Sequence, residues 1–229
     1  MNNTMETLLD AWDAIRSRLH GSNEYLGLLG IRLILGYEFW SAGMMKLRGN
    51  NWFVHRHENF PFPFDTVSAN FSWFLATWVE ILGGLALMLG IFTRAFSFSF
   101  LILTAVAIWT VHWHPDWTQF FPGAGLGALW EGYAISNDGA GNFRLPLIFM
   151  VMLVPLLLAG PGRVSIDNLL TKLLGRESVP EPRNDLFSIA LVALGLGIPL
   201  LFLVPVLGVV LVIIGVIAAF VGWRWQKQG

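Results

Sequence analysis

Two carboxylates, Glu38 and Glu80, stand inside long apolar runs of the sequence, and Lys46 follows Glu38 by eight residues. A charged group in the hydrocarbon of a bilayer costs roughly 2.5 to 3.5 kcal/mol, so such residues mark proton relays, ion pathways or ligand sites. Counted from the nearby ends of their apolar runs, both carboxylates fall about nine residues deep, or roughly 13 Å. They are therefore expected to share a level and to handle protons together with Lys46. On its own helix Glu80 has Thr77, Gly83 and Gly84 for neighbours, which points it inward. A Glu38 to Lys46 ion pair is compatible with the spacing but not dictated by it.

His112 and His114, in Val-His-Trp-His-Pro, end a third apolar run, with Trp109 one turn before His112. A histidine there can shuttle protons, bind a metal, hydrogen-bond a quinone carbonyl, or simply anchor a helix end by hydrogen bonds. Trp78, Trp109 and His112 make a candidate quinone pocket, although packing explains the two indoles equally well. His55 and His57, a His-x-His pair, can join His112 and His114 as imidazole ligands of copper or zinc. Cysteine is absent, which excludes disulfides, thiolate nucleophiles and Cys-ligated metal centres of the chain's own. No phosphate-binding Gly loop, Ser-His-Asp pattern or His-Glu-x-x-His occurs.

The elements that must hold these residues are membrane helices. Hydrophobic residues make up 55% of the chain and charged ones 13%, far from a soluble domain. Six runs approach the roughly 20 residues needed to cross a bilayer: about 25 to 47, 71 to 90, 93 to 113, 143 to 160, 186 to 204 and 206 to 223. The last two meet at Val204 and Pro205, where proline favours a reversal. A net charge of -1 gives no electrostatic basis for nucleic-acid binding. Residues 1 to 24 lack the apolar core and cleavage site of a signal peptide, so the first span is expected to act as its own insertion signal.

In that polar segment Met5, Leu8, Leu9, Trp12, Ile15 and Leu19 recur at helical spacing, as in a helix lying on the membrane surface. Ser165 can cap a second surface helix, with Ile166, Leu169, Leu170, Leu173 and Leu174 as its apolar stripe. Residues 163 to 185 then combine this helix with a polar, Pro-containing linker. With the N-terminus inside, Arg16, Arg18, Arg94, Arg163, Lys172, Arg176, Arg183, Arg224 and Lys227 are internal, and only Lys46, Arg48 and Arg56 are external. That asymmetry predicts both termini in the cytoplasm of a bacterial inner-membrane protein. Gly208, Gly215 and Gly222, seven apart, offer a groove for packing or self-association.

Arg32-Leu-Ile-Leu-Gly36-Tyr-Glu38-Phe-Trp-Ser-Ala-Gly43-Met-Met-Lys46-Leu47 resembles the opening of DoxX-family membrane proteins, as does Trp78-Val-Glu80-Ile-Leu-Gly83-Gly84 through Thr93-Arg94. Phe60-Pro-Phe-Pro-Phe64, Val111-His112-Trp113, Gly132-Tyr-Ala-Ile135, Gly141-Asn142-Phe-Arg-Leu-Pro146 and Gly162-Arg-Val-Ser-Ile-Asp167 resemble more narrowly the HvfX branch, associated with maturation of copper-binding ribosomal peptides. The resemblance implies an all-α membrane bundle: a four-helix core over 25 to 162, with residues 186 to 229 as a two-span addition. Three functions compete, the first two suggested by the resemblance and the third by the carboxylates Glu38 and Glu80. One is an accessory or redox-linked component of a peptide-maturation or metal-handling system. Another is a quinone-reactive subunit of an oxidoreductase of the thiosulfate:quinone type. The third is a small proton or cation transporter. Quinone and copper are the cofactors at stake. The lipid bilayer, other membrane or maturation proteins and further copies of the chain are the partners. No catalytic residue carries over from the resemblance.

Overall fold

The computed structural model describes residues 2–112, 144–176 and 183–226. Among these the secondary structure is entirely helical. The principal helices are α1 (Asn2–Arg48), α2 (Ala69–Leu89), α3 (Thr93–Ala107), α4 (Arg144–Ala159), α5 (Ile166–Leu173), α6 (Leu186–Leu200) and α7 (Pro205–Gln226). A π-helical turn, Ile108–His112, extends α3. Three of these regions are long and apolar enough to cross a membrane, Ala69–Leu89, Thr93–Val111 and Pro205–Trp225, while Leu145–Ala159 and Leu186–Leu200 are apolar but shorter. Proline accounts for the length of α6: Pro199 occupies its last turn, and Leu201–Leu203 turn the chain before Pro205 opens α7.

Helix α1 differs most from expectation. The sequence predicts a separate surface helix up to residue 24, yet α1 is one uninterrupted helix of 47 residues. Nothing between Asn23 and Leu26 breaks a helix, and the glycines nearby only weaken it. At 1.5 Å per residue α1 is about 70 Å long, more than twice the hydrocarbon thickness. The apolar side chains of its first half, Leu8, Trp12, Ile15 and Leu19 among them, are exposed.

Helices α1 and α2 pack closely because glycines let their backbones approach. A Cβ added at Gly84 would lie 2.6 Å from both the Gly36 carbonyl oxygen and the Trp40 nitrogen, and one at Gly43 would lie 2.9 Å from the Glu80 Cβ. The obstructing atoms at Gly84 are backbone, so relief requires the helices to part. Gly84→Val is therefore expected to destabilise the bundle by about 1 to 3 kcal/mol. Thermal unfolding in mild detergent measures this, with Gly21→Ala as a control, since its added Cβ meets nothing within 4 Å.

A single core runs through the bundle. Leu35 and Phe39 of α1 meet Leu87, Phe100, Ile108, Leu153 and Leu156, and Phe39 stacks on Phe100 at 3.8 Å between ring centroids. The turn after α6 belongs to the same core through buried Leu203, and Phe202 meets Phe64 at 5.6 Å. The hairpin of α6 and α7 is packed on α3 and α4, chiefly through α6, and its turn reaches the loop that follows α1. Helix α5 is capped as the sequence predicts, Ser165 Oγ accepting from the Asn168 amide, and its stripe of Leu169, Leu170, Leu173 and Leu174 is exposed.

Candidate functional site

Buried charge concentrates at two levels of the bundle. At one, Lys46 Nζ donates to both carboxylate oxygens of Glu80, at 2.9 Å and 2.7 Å. The side chains are 17% and 5% exposed, so the pair is held among protein atoms. Gly43 makes the meeting geometrically possible, because only a residue without Cβ lets Glu80 tuck against α1 there. Above the pair, three short 3-10 turns, Trp52–His55, His57–Asn59 and Phe64–Thr66, fold the loop between α1 and α2 over the end of the bundle. Phe53 packs edge-on against Trp52, Phe60 and Trp73, with centroids 4.7 to 5.2 Å away. The ion pair therefore lies in the half of the bundle that this aromatic loop covers.

The expected two-carboxylate cluster does not form. Glu38 is exposed, on the face of α1 turned away from α2, whereas Glu80 is buried. Their levels differ too. Gly84 lies against Gly36 and Trp40, level with Glu38, and Glu80 is one helical turn beyond Gly84. Counting depth from the ends of two runs assumed that both helices end in one plane. The contacts of Gly84 with Gly36 and Trp40, and of Gly43 with Glu80, show instead that the two ends are offset. Lys46 accordingly pairs with Glu80 and not with Glu38.

The proposed aromatic pocket is also rearranged. Trp78 is two residues before Glu80 and thus on the opposite side of α2, where it is exposed beside Phe74. Trp109 is part-buried in the π-helical turn. The side chain of His112 and all of His114 lie outside the described residues, so the pocket and the four-histidine metal site are described only in part. His55 is exposed, and the His57 ring shares a hydrogen bond with the Val67 carbonyl. Among the described residues no group of three or more His, Asp or Glu is placed to hold a metal ion.

The second level of buried charge was not anticipated as a site. Arg32, 1% exposed, donates from Nε to the Leu87 carbonyl at 2.9 Å and from Nη2 to the Met88 carbonyl at 3.1 Å. Its Nη1 reaches the carbonyls of Val164, at 2.9 Å, and Pro161. Beside it Asp167 accepts from the amides of Phe92 and Thr93 at the start of α3, and its own amide donates to the Gly90 carbonyl. These contacts tie the α2–α3 turn to the segment after α4 and complete the orphan groups at two helix ends. The rule that singled out Glu38 and Glu80, a charge inside an apolar run, applies equally to Arg32 and would have found it.

Gly36, Glu38, Gly43, Lys46, Glu80, Gly83, Gly84 and Gly90 fall within the stretch 27–113, over which the chain matches the DoxX family. An uncharacterised protein of Haemophilus influenzae is 32% identical over 155 residues, 68% of this chain and 90% of that protein. No solved structure matches. Glycine-mediated packing of α1 on α2 and the charged groups it holds thus lie inside the matched stretch, and this membrane protein belongs to the DoxX family.

Proposed function

We propose that the chain is an accessory, redox-linked component of a peptide-maturation or metal-handling system in the bacterial cytoplasmic membrane, of the HvfX type. Its topology in this reading has six crossings, by α1, α2, α3 with its π-helical turn, α4, α6 and α7, with both termini inside. The basic residues support that orientation. Arg32, Arg94 and Arg163 gather at the end of the bundle opposite Lys46, and Arg94 donates to the Leu158 and Ala159 carbonyls there.

The observation that carries the reading is the Lys46–Glu80 pair. It is a buried, neutral-overall charged couple facing a covered loop, not a carboxylate open to water or lined up with a second one. Such a pair can take up or give up a proton when a neighbouring redox protein changes its charge, without itself holding a reacting centre. Separation of Glu38 from Glu80 weakens the transporter reading, which needs successive proton or cation stations. Displacement of Trp78 to the outside, on the side of α2 opposite Glu80, weakens the quinone reading, which seats the head group near Trp78 and Trp109 with Glu38 or Glu80 supplying protons.

The test is isolation of the intact protein from its native host in mild detergent, with analysis of bound metal, quinone and co-purifying chains. A peptide-modifying enzyme or precursor peptide should co-purify, and a strain lacking the chain should accumulate unmatured peptide. Normal maturation in that strain, together with stoichiometric reducible quinone on the protein, would sink the reading in favour of the oxidoreductase subunit.

A further inference from the structure

Glu38 is the one carboxylate within 27–47 of α1, and among the described residues no group is seen to pair with it. By helical rise it lies about 9 Å along the axis from Arg32 and about 12 Å from Lys46, between the two levels of buried charge. Ile34, Tyr37 and Met45 around it are all more than half exposed. Lipid can cover isoleucine, tyrosine and methionine, but it leaves a carboxyl group without a hydrogen-bond partner. The face therefore calls for a protein partner.

The other half of α1 identifies that partner. Met5, Leu8, Trp12, Ile15 and Leu19 follow one another in alternating steps of three and four, and Leu26 resumes the pattern one heptad after Leu19. That is the seam of a two-stranded coiled coil. These residues are exposed on a helix that projects past the rest of the bundle. At about 100° per residue, they fall with Ile34, Tyr37, Glu38 and Ser41 in one sector of about 140°, opposite Leu35 and Phe39. From Leu26 the steps lengthen through Gly30, Ile34, Tyr37 and Ser41, which brings the face to the period of a nearly straight helix.

We propose that this continuous face of α1 is the interface between two parallel copies of the chain. Two copies of one membrane protein insert in the same orientation, so their α1 helices run parallel and each seam residue meets its own counterpart. Flanking charges allow this: in a parallel pair Ala11 faces Arg16 of the other copy and Arg18 faces Asn23, with no like charges opposed. Within the bilayer the two Glu38 carboxyl groups meet near the two-fold axis, where Tyr37 and Ser41 hydroxyls from the second copy can donate to them. The glutamate then fixes the register of the pair, as a single polar residue does in a coiled-coil seam.

Absence of cysteine makes the test direct. Single-cysteine variants of the full chain, made in a host without its partner proteins, are oxidised in isolated membranes. Cross-linked product of twice the monomer mass is expected for Leu8→Cys, Ile15→Cys and Leu19→Cys. Asp10→Cys and Ser17→Cys, exposed on the far side of the same helix, should give at least fivefold less. In the span, Ser41→Cys should also cross-link. Adding Glu38→Gln should leave that yield within about twofold, because an amide still hydrogen-bonds, while Glu38→Leu should lower it at least fivefold. Equal yields at Ile15 and Ser17, or none at any position, overturn the proposal. So does a native-host product of some other mass without the homodimer. Cross-linking at Ile15 that is absent at Ser41, or indifferent to Glu38→Leu, overturns the role given to the glutamate.

Discussion

Lys46→Met should destabilise the protein by about 3 to 5 kcal/mol, because it leaves the Glu80 carboxylate inside the bundle with no counter-charge. Glu80 is 5% exposed and both its oxygens rely on the one ammonium group. Glu80→Gln should cost less, since the longer lysine side chain, 17% exposed, can turn its charge toward the water-facing end. Lys46→Met combined with Glu80→Leu should recover most of the loss, as buried ion pairs often trade evenly against apolar residues of similar volume. A double-mutant cycle in thermal unfolding gives the coupling. The doubly apolar variant also separates structure from function. If it folds as well as the parent yet fails to support the peptide maturation proposed above, the charges are kept for their chemistry. If maturation is unimpaired, the pair serves packing alone.

Arg32→Leu is expected to be the most damaging single substitution. It removes the side-chain donor from the carbonyls of Met88, Pro161 and Val164, and one of two donors from that of Leu87, which the Gly90 amide also serves. Each stranded group costs about 1 to 3 kcal/mol, and the sum is comparable with the roughly 5 to 15 kcal/mol that holds most domains folded. Recovery of monodisperse protein after detergent extraction should fall to near background. Arg32→Lys should not rescue it. Four carbonyls from two separate segments are bridged by a planar guanidinium with its donors spread over three nitrogens, and a single ammonium cannot span them. A variant that keeps normal yield and melting temperature with leucine at this position would refute the clamp.

Several local features were legible in the sequence because they depend on near neighbours. Ser165 caps α5. Pro205 opens α7 after a tight reversal at Leu201–Leu203. The small residues beside Glu80 do mark the buried face of α2, since Gly83 and Gly84 are both buried there. The misread features all needed distances between helices. Run ends place Glu38 and Glu80 at one depth, whereas the offset of α1 against α2 separates them by a turn. The sequence groups Trp78 with Trp109 and His112 in one candidate pocket, but its orientation on α2 takes it to the outside. Arg32 was recognised as part of a motif but not as a clamp, since its four acceptors come from residues at least 55 positions away.

The sequence by itself determined that this is an apolar, all-helical membrane protein, since composition and run length decide how a chain partitions between water and lipid. It also determined that Glu38, Lys46 and Glu80 would be costly residues needing a reason. Only the tertiary structure decided which of them meet. Where a side chain points relative to another helix depends on axial offset and rotation, and Gly36, Gly43 and Gly84 set both by allowing one close backbone approach. That contact joins Lys46 to Glu80 and leaves Glu38 facing outward, on the same side of α1 as the seam from Met5 to Leu19.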